Sequence, residues 1–103
     1  MAQNTITLEQ AQSWAQKWRS NPNPDVIAFF IPEIDITQVM AERETVNVRT
    51  YLGIDDQDNC KLMIVGIDVN GKDLINDQKG QFIYDFTKGC QPECDVDSPL
   101  FNL

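Results

Sequence analysis

The chain has 103 residues, 42% apolar and 23% charged, which is enough for one folded domain with a single core and too little for two. Sixteen acidic residues against eight basic ones give a net charge of −8, with Lys and Arg scattered singly, so nucleic acids and membrane surfaces are not expected partners. The chain has no histidine and no phosphate-binding glycine motif, so we expect no enzymatic activity and no cofactor.

The first element predicted along the chain is a helix from Leu8 to Ser20. Thr7 and Gln10 have the spacing of a capping box, in which side chains satisfy the first backbone amides of a helix. Pro22 and Pro24 are expected to end the helix, because proline lacks an amide donor. Apolar residues recur at the helical period and predict one buried face, which comprises Leu8, Ala11, Trp14, Ala15 and Trp18.

A strand and a second helix are predicted next. The six apolar residues at positions 26–31 are too few for a helix and predict a strand covered on both faces. The segment 33–44 predicts a shorter helix, with Asp35 as its N-terminal cap and Gln38 at the capping-box position. The residues of this helix expected to face the core are Ile36, Val39 and Met40.

Three further strands are predicted in the C-terminal half of the chain. The segment 45–55 alternates at the strand period, 60–69 is apolar on both sides, and 81–87 forms the last strand. Asn70-Gly71 predicts a type I′ turn, whose central positions both need positive φ. In 45–55 the apolar face is formed by Val46, Val48, Thr50 and Leu52, and the polar face by Asn47, Arg49 and Tyr51.

The order α-β-α-β-β-β predicts an α+β fold, in which a mainly antiparallel sheet of about four strands packs with two helices. We expect a single domain over 1–103, with irregular tails at 1–6 and 88–103. The first residues lack the pattern of a secretory signal, and the longest apolar runs have six residues. We therefore expect a cytoplasmic protein that does not bind membranes.

The three cysteines leave several interpretations open. An odd number of cysteines in a chain expected to be cytoplasmic favours free thiols. A disulfide between Cys90 and Cys94 is the alternative, since Pro92 bends the chain between them. A metal or thiol-redox site built from Cys60, Cys90 and Cys94 is a weaker one, because structural zinc normally takes four N or S ligands.

The apolar strands point to an interaction surface. Two helices with about twenty-five residues in total are too few to cover both faces of a four-stranded sheet. The remainder is expected to be covered by the apolar C-terminal tail or by a second copy of the chain. Arg49 is expected to pair with Asp85 or with a carboxylate of a partner. The candidate interface residues are Asn47, Arg49, Tyr51, Leu100 and Phe101.

The predicted function is therefore that of a small acidic, non-catalytic interaction protein, which forms a homodimer or binds another protein through an apolar sheet face. A metal-binding or thiol-redox module is the first alternative. A carboxylate-based enzyme is the second.

Four stretches of the sequence resemble a family of short bacterial proteins that end in a cysteine pair: LEQAQSWAQKWRSNP, VNVRTYLGID, LMIVGIDVNGKDLI and IYDFT. The resemblance covers most of the chain. It implies a free-standing bacterial domain, and it transfers no activity, cofactor or functional residue.

Overall fold

The structure, a computed structural model, describes residues 2–20, 26–90 and 93–102. These residues form two helices, a 3-10 turn and two antiparallel sheets, which confirms the α+β class. In chain order the elements are β1 (Thr5–Ile6), α1 (Leu8–Ser20), β2 (Ala28–Phe30), α2 (Glu33–Ala41), β3 (Asn47–Ile54), β4 (Cys60–Ile67), β5 (Asp73–Leu74), the 3-10 turn (Asp77–Lys79), β6 (Ile83–Tyr84) and β7 (Lys88–Cys90).

The main sheet has five strands in the described part of the chain. Its order is β1-β6-β4-β3, and β5 also pairs with β4. β3 and β4 pair over their full length, from Asn47 opposite Ile67 to Ile54 opposite Cys60. Because β4 is the one strand that pairs with β3 among the described residues, β3 forms an edge of this sheet.

The prediction of a doubly covered strand at 26–31 is wrong. Only Ala28–Phe30 is a strand there, and it pairs with β7 in a separate two-stranded sheet that leaves Ile27 and Phe30 exposed. The segments 1–6 and 88–103, expected to be irregular, each contribute a strand. Backbone amides and carbonyls need hydrogen-bond partners. Pairing of β1 with β6, and of β7 with β2, supplies them in these two segments.

Helix α1 has the predicted bounds, and its capping box is confirmed. The Thr7 amide donates to Oε1 of Gln10 at 3.0 Å, and the Gln10 amide donates to Oγ1 of Thr7 at 3.1 Å. Ala11 and Trp14 are the buried residues of the helix. Pro22 and Pro24, which were expected to end it, lie outside the described residues.

The close approach of α1 to β3 requires glycine at position 53. A Cβ there would lie 2.9 Å from the Cβ of Trp14 and 2.9 Å from Cε of Met63. The helix also binds the β3–β4 turn, because Trp14 Nε1 donates to Asp56 at 3.3 Å and Lys17 Nζ donates to Asp58 at 2.5 Å. These contacts fix α1 over one end of β3.

Helix α2 begins differently from the prediction. Pro32 is its N-terminal cap and makes no side-chain cap bond. Asp35 lies fully buried in the first turn, where its carboxylate accepts from Asn4 Nδ2 at 3.2 Å and from the Phe86 amide at 3.1 Å. Gln38 bonds the backbone of Gln3 and takes no part in a capping box. Both side chains therefore make contacts distant in sequence, and neither caps the helix.

The inward face of α2 is narrower than predicted. Val39 is fully buried against Ile64 and Tyr84, but Ile36 and Met40 are 41% and 47% exposed. The prediction that Ile36 and Met40 face the core is therefore wrong.

The turn after β4 also differs from the predicted type I′ turn. Gly71 has φ of 79°, whereas Asn70 is not among the residues with positive φ. The Gly71 amide donates to the Asp68 carbonyl at 3.0 Å, and the Asp68 carboxylate accepts from the amides of Asn70 and Lys72. The Asp68 side chain satisfies these amides, so one positive φ is enough.

The two helices cover opposite faces of the main sheet. Neighbouring residues of a strand point to opposite faces, and along β4 Met63 and Val65 pack with α1 whereas Ile64 packs with α2. We call these the α1 face and the α2 face. By register, Tyr51 lies opposite Met63 on the α1 face, and Thr50 lies opposite Ile64 on the α2 face.

Candidate interaction surface

The polar face of β3 lies on the covered side of the sheet. Nη1 of Arg49 donates to Oδ1 of Asp73 at 2.5 Å and to the Gly71 carbonyl at 3.1 Å, and the Tyr51 hydroxyl donates to the other Asp73 oxygen. The hydrogen bonds to Asp73 raise the pKa of both Arg49 and Tyr51. The expected pairing of Arg49 with Asp85 is wrong, because β5 brings Asp73 alongside β4 within reach of Arg49.

The other predicted interface residues lie apart from this network. Asn47 is exposed at the start of β3. Leu100 is 82% exposed. Phe101 is half-buried in a turn, in which its backbone amide donates a hydrogen bond to the Ser98 carbonyl at 3.0 Å. The structure thus joins Arg49 with Tyr51 and leaves Leu100 available to solvent.

The apolar face of β3 is the side that remains open. Helix α2 covers this face through Val39, which packs on Ile64. Two further apolar residues of α2, Ile36 and Met40, are exposed. We define the open face as Ile36, Met40, Val48, Thr50 and Leu52, whose four apolar members are 38% to 47% exposed.

The outer edge of β3 adjoins the open face. A strand at the edge of a sheet presents unpaired N–H and C=O groups, and proteins often protect such edges with charged side chains, proline, bulges or a short strand. β3 has eight residues, NVRTYLGI, with no proline and one charged residue, Arg49. The Arg49 guanidinium is paired with Asp73 on the α1 face. On the side of the open face, the edge strand therefore carries no charged side chain.

The sequence pattern pointed to β3, and an interface at Asn47, Arg49 and Tyr51 stays a prediction. Alternation identified the apolar and polar sets correctly, whereas the choice of face depends on where the helices pack. Gly53 was the available signal, because it follows Tyr51 on the same face and admits Trp14 closely. A helix over the Tyr51 face leaves Val48 and Leu52 uncovered.

The cysteines form a disulfide, and the favoured free-thiol interpretation of Cys90 and Cys94 is wrong. Their Cα atoms lie 4.6 Å apart and their sulfurs are bonded, while Cys60 is buried and takes no part in the disulfide. Bonded sulfurs are not thiolate ligands. Across residues 2–20, 26–90 and 93–102, no three cysteine or acidic side chains come together where they could hold a metal ion.

Asp35, which is fully buried, and Glu42, which is half-buried, fasten α2 to the segment around β6, and sequence reasoning did not identify these contacts. Burial raises the pKa of Asp35, Glu42 and Asp85. Oε2 of Glu42 accepts from the Phe82 amide at 3.0 Å and from the Tyr84 hydroxyl at 2.5 Å, and burial together with Glu42 raises the pKa of Tyr84. The contacts of Asp35 and Glu42 hold α2 against the sheet.

Comparison with known proteins leaves the geometry as the basis for a function. The chain matches no protein-family model, no curated protein and no solved structure. Neither helix of the described residues has the length and apolar character that a membrane span needs.

Proposed function

We propose that the protein acts through self-association, in which β3 of one copy pairs with β3 of a second copy. The observation that carries this proposal is the eight-residue edge strand, which adjoins the exposed apolar side chains of the open face. Edge strands of this kind accept another strand through their free backbone groups. The role is one of interaction, and the proposal assigns no catalytic step and no cofactor.

Antiparallel pairing of two identical strands is self-complementary, as a two-fold dimer requires. With Thr50 opposite the partner's Thr50, Val48 lies across from the partner's Leu52, and Arg49 lies across from the partner's Tyr51. This register extends the apolar set over the junction, and cross-strand pairs of this type stabilise a sheet. The register also keeps the two Arg49 side chains from lying directly opposite each other, where like charges would destabilise the pairing.

The helix spacing in such a dimer suits the exposed residues of α2. Strands lie about 4.8 Å apart, so β4 of one copy and β4 of the other are separated by roughly 14 Å across the two β3 strands. Each α2 lies over its own β4, and helices in contact have axes about 8–10 Å apart. In the proposed dimer, the exposed Ile36 and Met40 of each α2 fill the remaining space between the two helices.

Charge also supports a junction at β3. Each copy has a net charge of −8, so two copies repel at long range. The strand contains no acidic residue, which keeps the acidic groups away from the contact. Because salt screens repulsion between exposed charges, association is expected to strengthen as the salt concentration rises from low to physiological.

Sedimentation velocity at micromolar concentration tests the proposal. The wild-type chain is expected to sediment as a dimer, and Val48→Asp is expected to weaken dimerisation more than tenfold, because it places an unpaired carboxylate in the contact. Val69→Asp is the matched control, since Val69 is 80% exposed in the turn after β4. A wild-type monomer at all concentrations, or an equal effect of both variants, contradicts self-association through β3.

A cytoplasmic location stays a prediction, and the Cys90–Cys94 bond counts against it. Disulfides persist in oxidising compartments and are rare in the cytosol. Alkylation of free thiols at lysis, followed by mass measurement, reports which state the cell maintains.

A further inference from the structure

A second surface, on the opposite side of the sheet from the open face, is a groove between α1 and the strands. It encloses about 410 Å³, within the range of pockets that bind small molecules. One stripe of α1 forms its wall at intervals of three and four residues. The wall residues are Leu8, Ala11, Gln12, Ala15, Gln16 and Arg19.

The middle of the groove wall carries two short side chains of α1, Ala11 and Ala15. Ala11 and Ala15 face the sheet here, whereas Trp14 packs directly against Gly53 at the β3 side of the helix. The floor is apolar and consists of Met63, Val65 and Ile83. An apolar ligand body would therefore be removed from water on both sides, which is the main source of favourable binding free energy.

The groove is elongated. A second depression, of about 310 Å³, shares Leu8, Ile75 and Ile83 with the first and continues past the N-terminal end of α1. The 13 residues of α1 span about 20 Å along the helix axis. Leu8 and Ile75 lie at the junction, where both remain partly exposed to solvent. The shape fits a linear ligand better than a compact one.

The charges give the groove a direction. Asp73 lines it, but this carboxylate is already paired with Arg49 and accepts from Tyr51. Arg19, in the last turn of α1, also lines the groove and forms no ion pair with another described residue. Acidic residues occupy the opposite end, where Glu9 and Asp77 line the second depression. An anionic head group is favoured near Arg19 and disfavoured at the other end.

We propose that this groove binds a linear aliphatic carboxylate, a fatty-acid-like amphiphile. Its carboxylate pairs with the Arg19 guanidinium, and its chain runs along Ala15 and Ala11 toward Leu8 and Ile75. The site is on the α1 face and needs no residue of the open face, so binding does not depend on self-association.

Titration with dodecanoate below its micelle concentration, followed by amide chemical shifts, tests the site. We expect saturable binding of one molecule per chain, with the largest shifts in α1, and weaker binding of uncharged dodecanol. Arg19→Glu is expected to weaken dodecanoate binding about five- to tenfold, because an exposed attraction is replaced by repulsion. Arg43→Glu, a matched change outside the groove wall, is expected to leave binding unchanged.

Three outcomes overturn the proposal. They are the absence of saturable binding to the wild-type chain, an equal loss in Arg19→Glu and Arg43→Glu, and equal affinity for dodecanoate and dodecanol. Repeating the titration with Val48→Asp separates the two surfaces, since that variant is expected to bind dodecanoate normally whether or not the chain self-associates.

Discussion

Replacing Tyr84 with phenylalanine tests whether the bond to Glu42 fastens α2 to the sheet. Tyr84 is 1% exposed, and its hydroxyl donates to Oε2 of Glu42 at 2.5 Å. The variant keeps the aromatic ring and removes one donor from a carboxylate whose other oxygen, Oε1, is buried without a hydrogen-bond partner in the described structure. The change therefore isolates one hydrogen bond to a charged group.

The expected loss is about 2 kcal/mol at pH 7, since a hydrogen bond to a charged group contributes about 1.5–3 kcal/mol to stability. For a domain of this size the loss lowers the melting temperature by about 10 °C. Burial raises the pKa of Glu42, so the folded state binds this proton more tightly than the unfolded state does. Protonation of Glu42 therefore stabilises the fold at low pH, and this contribution is lost as the pH rises through the raised pKa. Below that pKa the bond is neutral and contributes about 1 kcal/mol.

Urea unfolding followed by tryptophan fluorescence at pH 7 and pH 4.5 measures both quantities. Tyr51→Phe is the matched control, because the Tyr51 hydroxyl donates to Asp73 at a half-exposed position where Arg49 also bonds, and its loss is expected to cost under about 1 kcal/mol. The reasoning is refuted if Tyr84→Phe costs no more than Tyr51→Phe at pH 7, or if its cost is the same at both pH values.

Two further predictions concern stability. Reducing the Cys90–Cys94 disulfide is expected to lower the free energy of unfolding by about 2 kcal/mol, a modest amount because the cross-link joins residues only 4 positions apart. Urea unfolding with and without reductant measures this loss. If a Cys90→Ser/Cys94→Ser chain were equally sensitive to reductant, the loss would not come from this disulfide. Thr45→Val is expected to leave stability unchanged or raise it by about 1 kcal/mol, because Oγ1 of Thr45 is buried without a hydrogen-bond partner in the described structure. A lower melting temperature for this variant would show that the hydroxyl is stabilising.

The sequence predicted those elements whose signals are local. The capping box of Thr7 and Gln10 and the apolar stripe of α1 depend on residues within one or two turns, so the helix bounds followed directly. The alternation in β3 likewise predicted which side chains share a face. Neither pattern says where another element packs. The sequence therefore did not predict which face of the sheet α1 covers.

Other errors come from contacts between distant residues. Asp35 has a typical capping position, yet Asn4 and the Phe86 amide bind its carboxylate and place it in the interior. The apolar run 26–31 predicted a strand but carried no information about its pairing partner, which is β7. The open face depends on the first of these contacts, since a buried Asp35 sets the rotation of α2 and Ile36 and Met40 are then exposed.

Disulfide trapping at Thr50 tests the pairing of two β3 strands most directly. Opposed residues of antiparallel strands have Cα atoms about 4.5–5.5 Å apart, which a disulfide can bridge. Mild oxidation of Thr50→Cys is expected to give a covalent dimer in high yield. Asn47→Cys, three positions away on the same exposed strand, is expected to give little, because the two-fold register separates its copies by roughly 20 Å. Equal yields from the two variants, or no dimer from Thr50→Cys, would contradict the account.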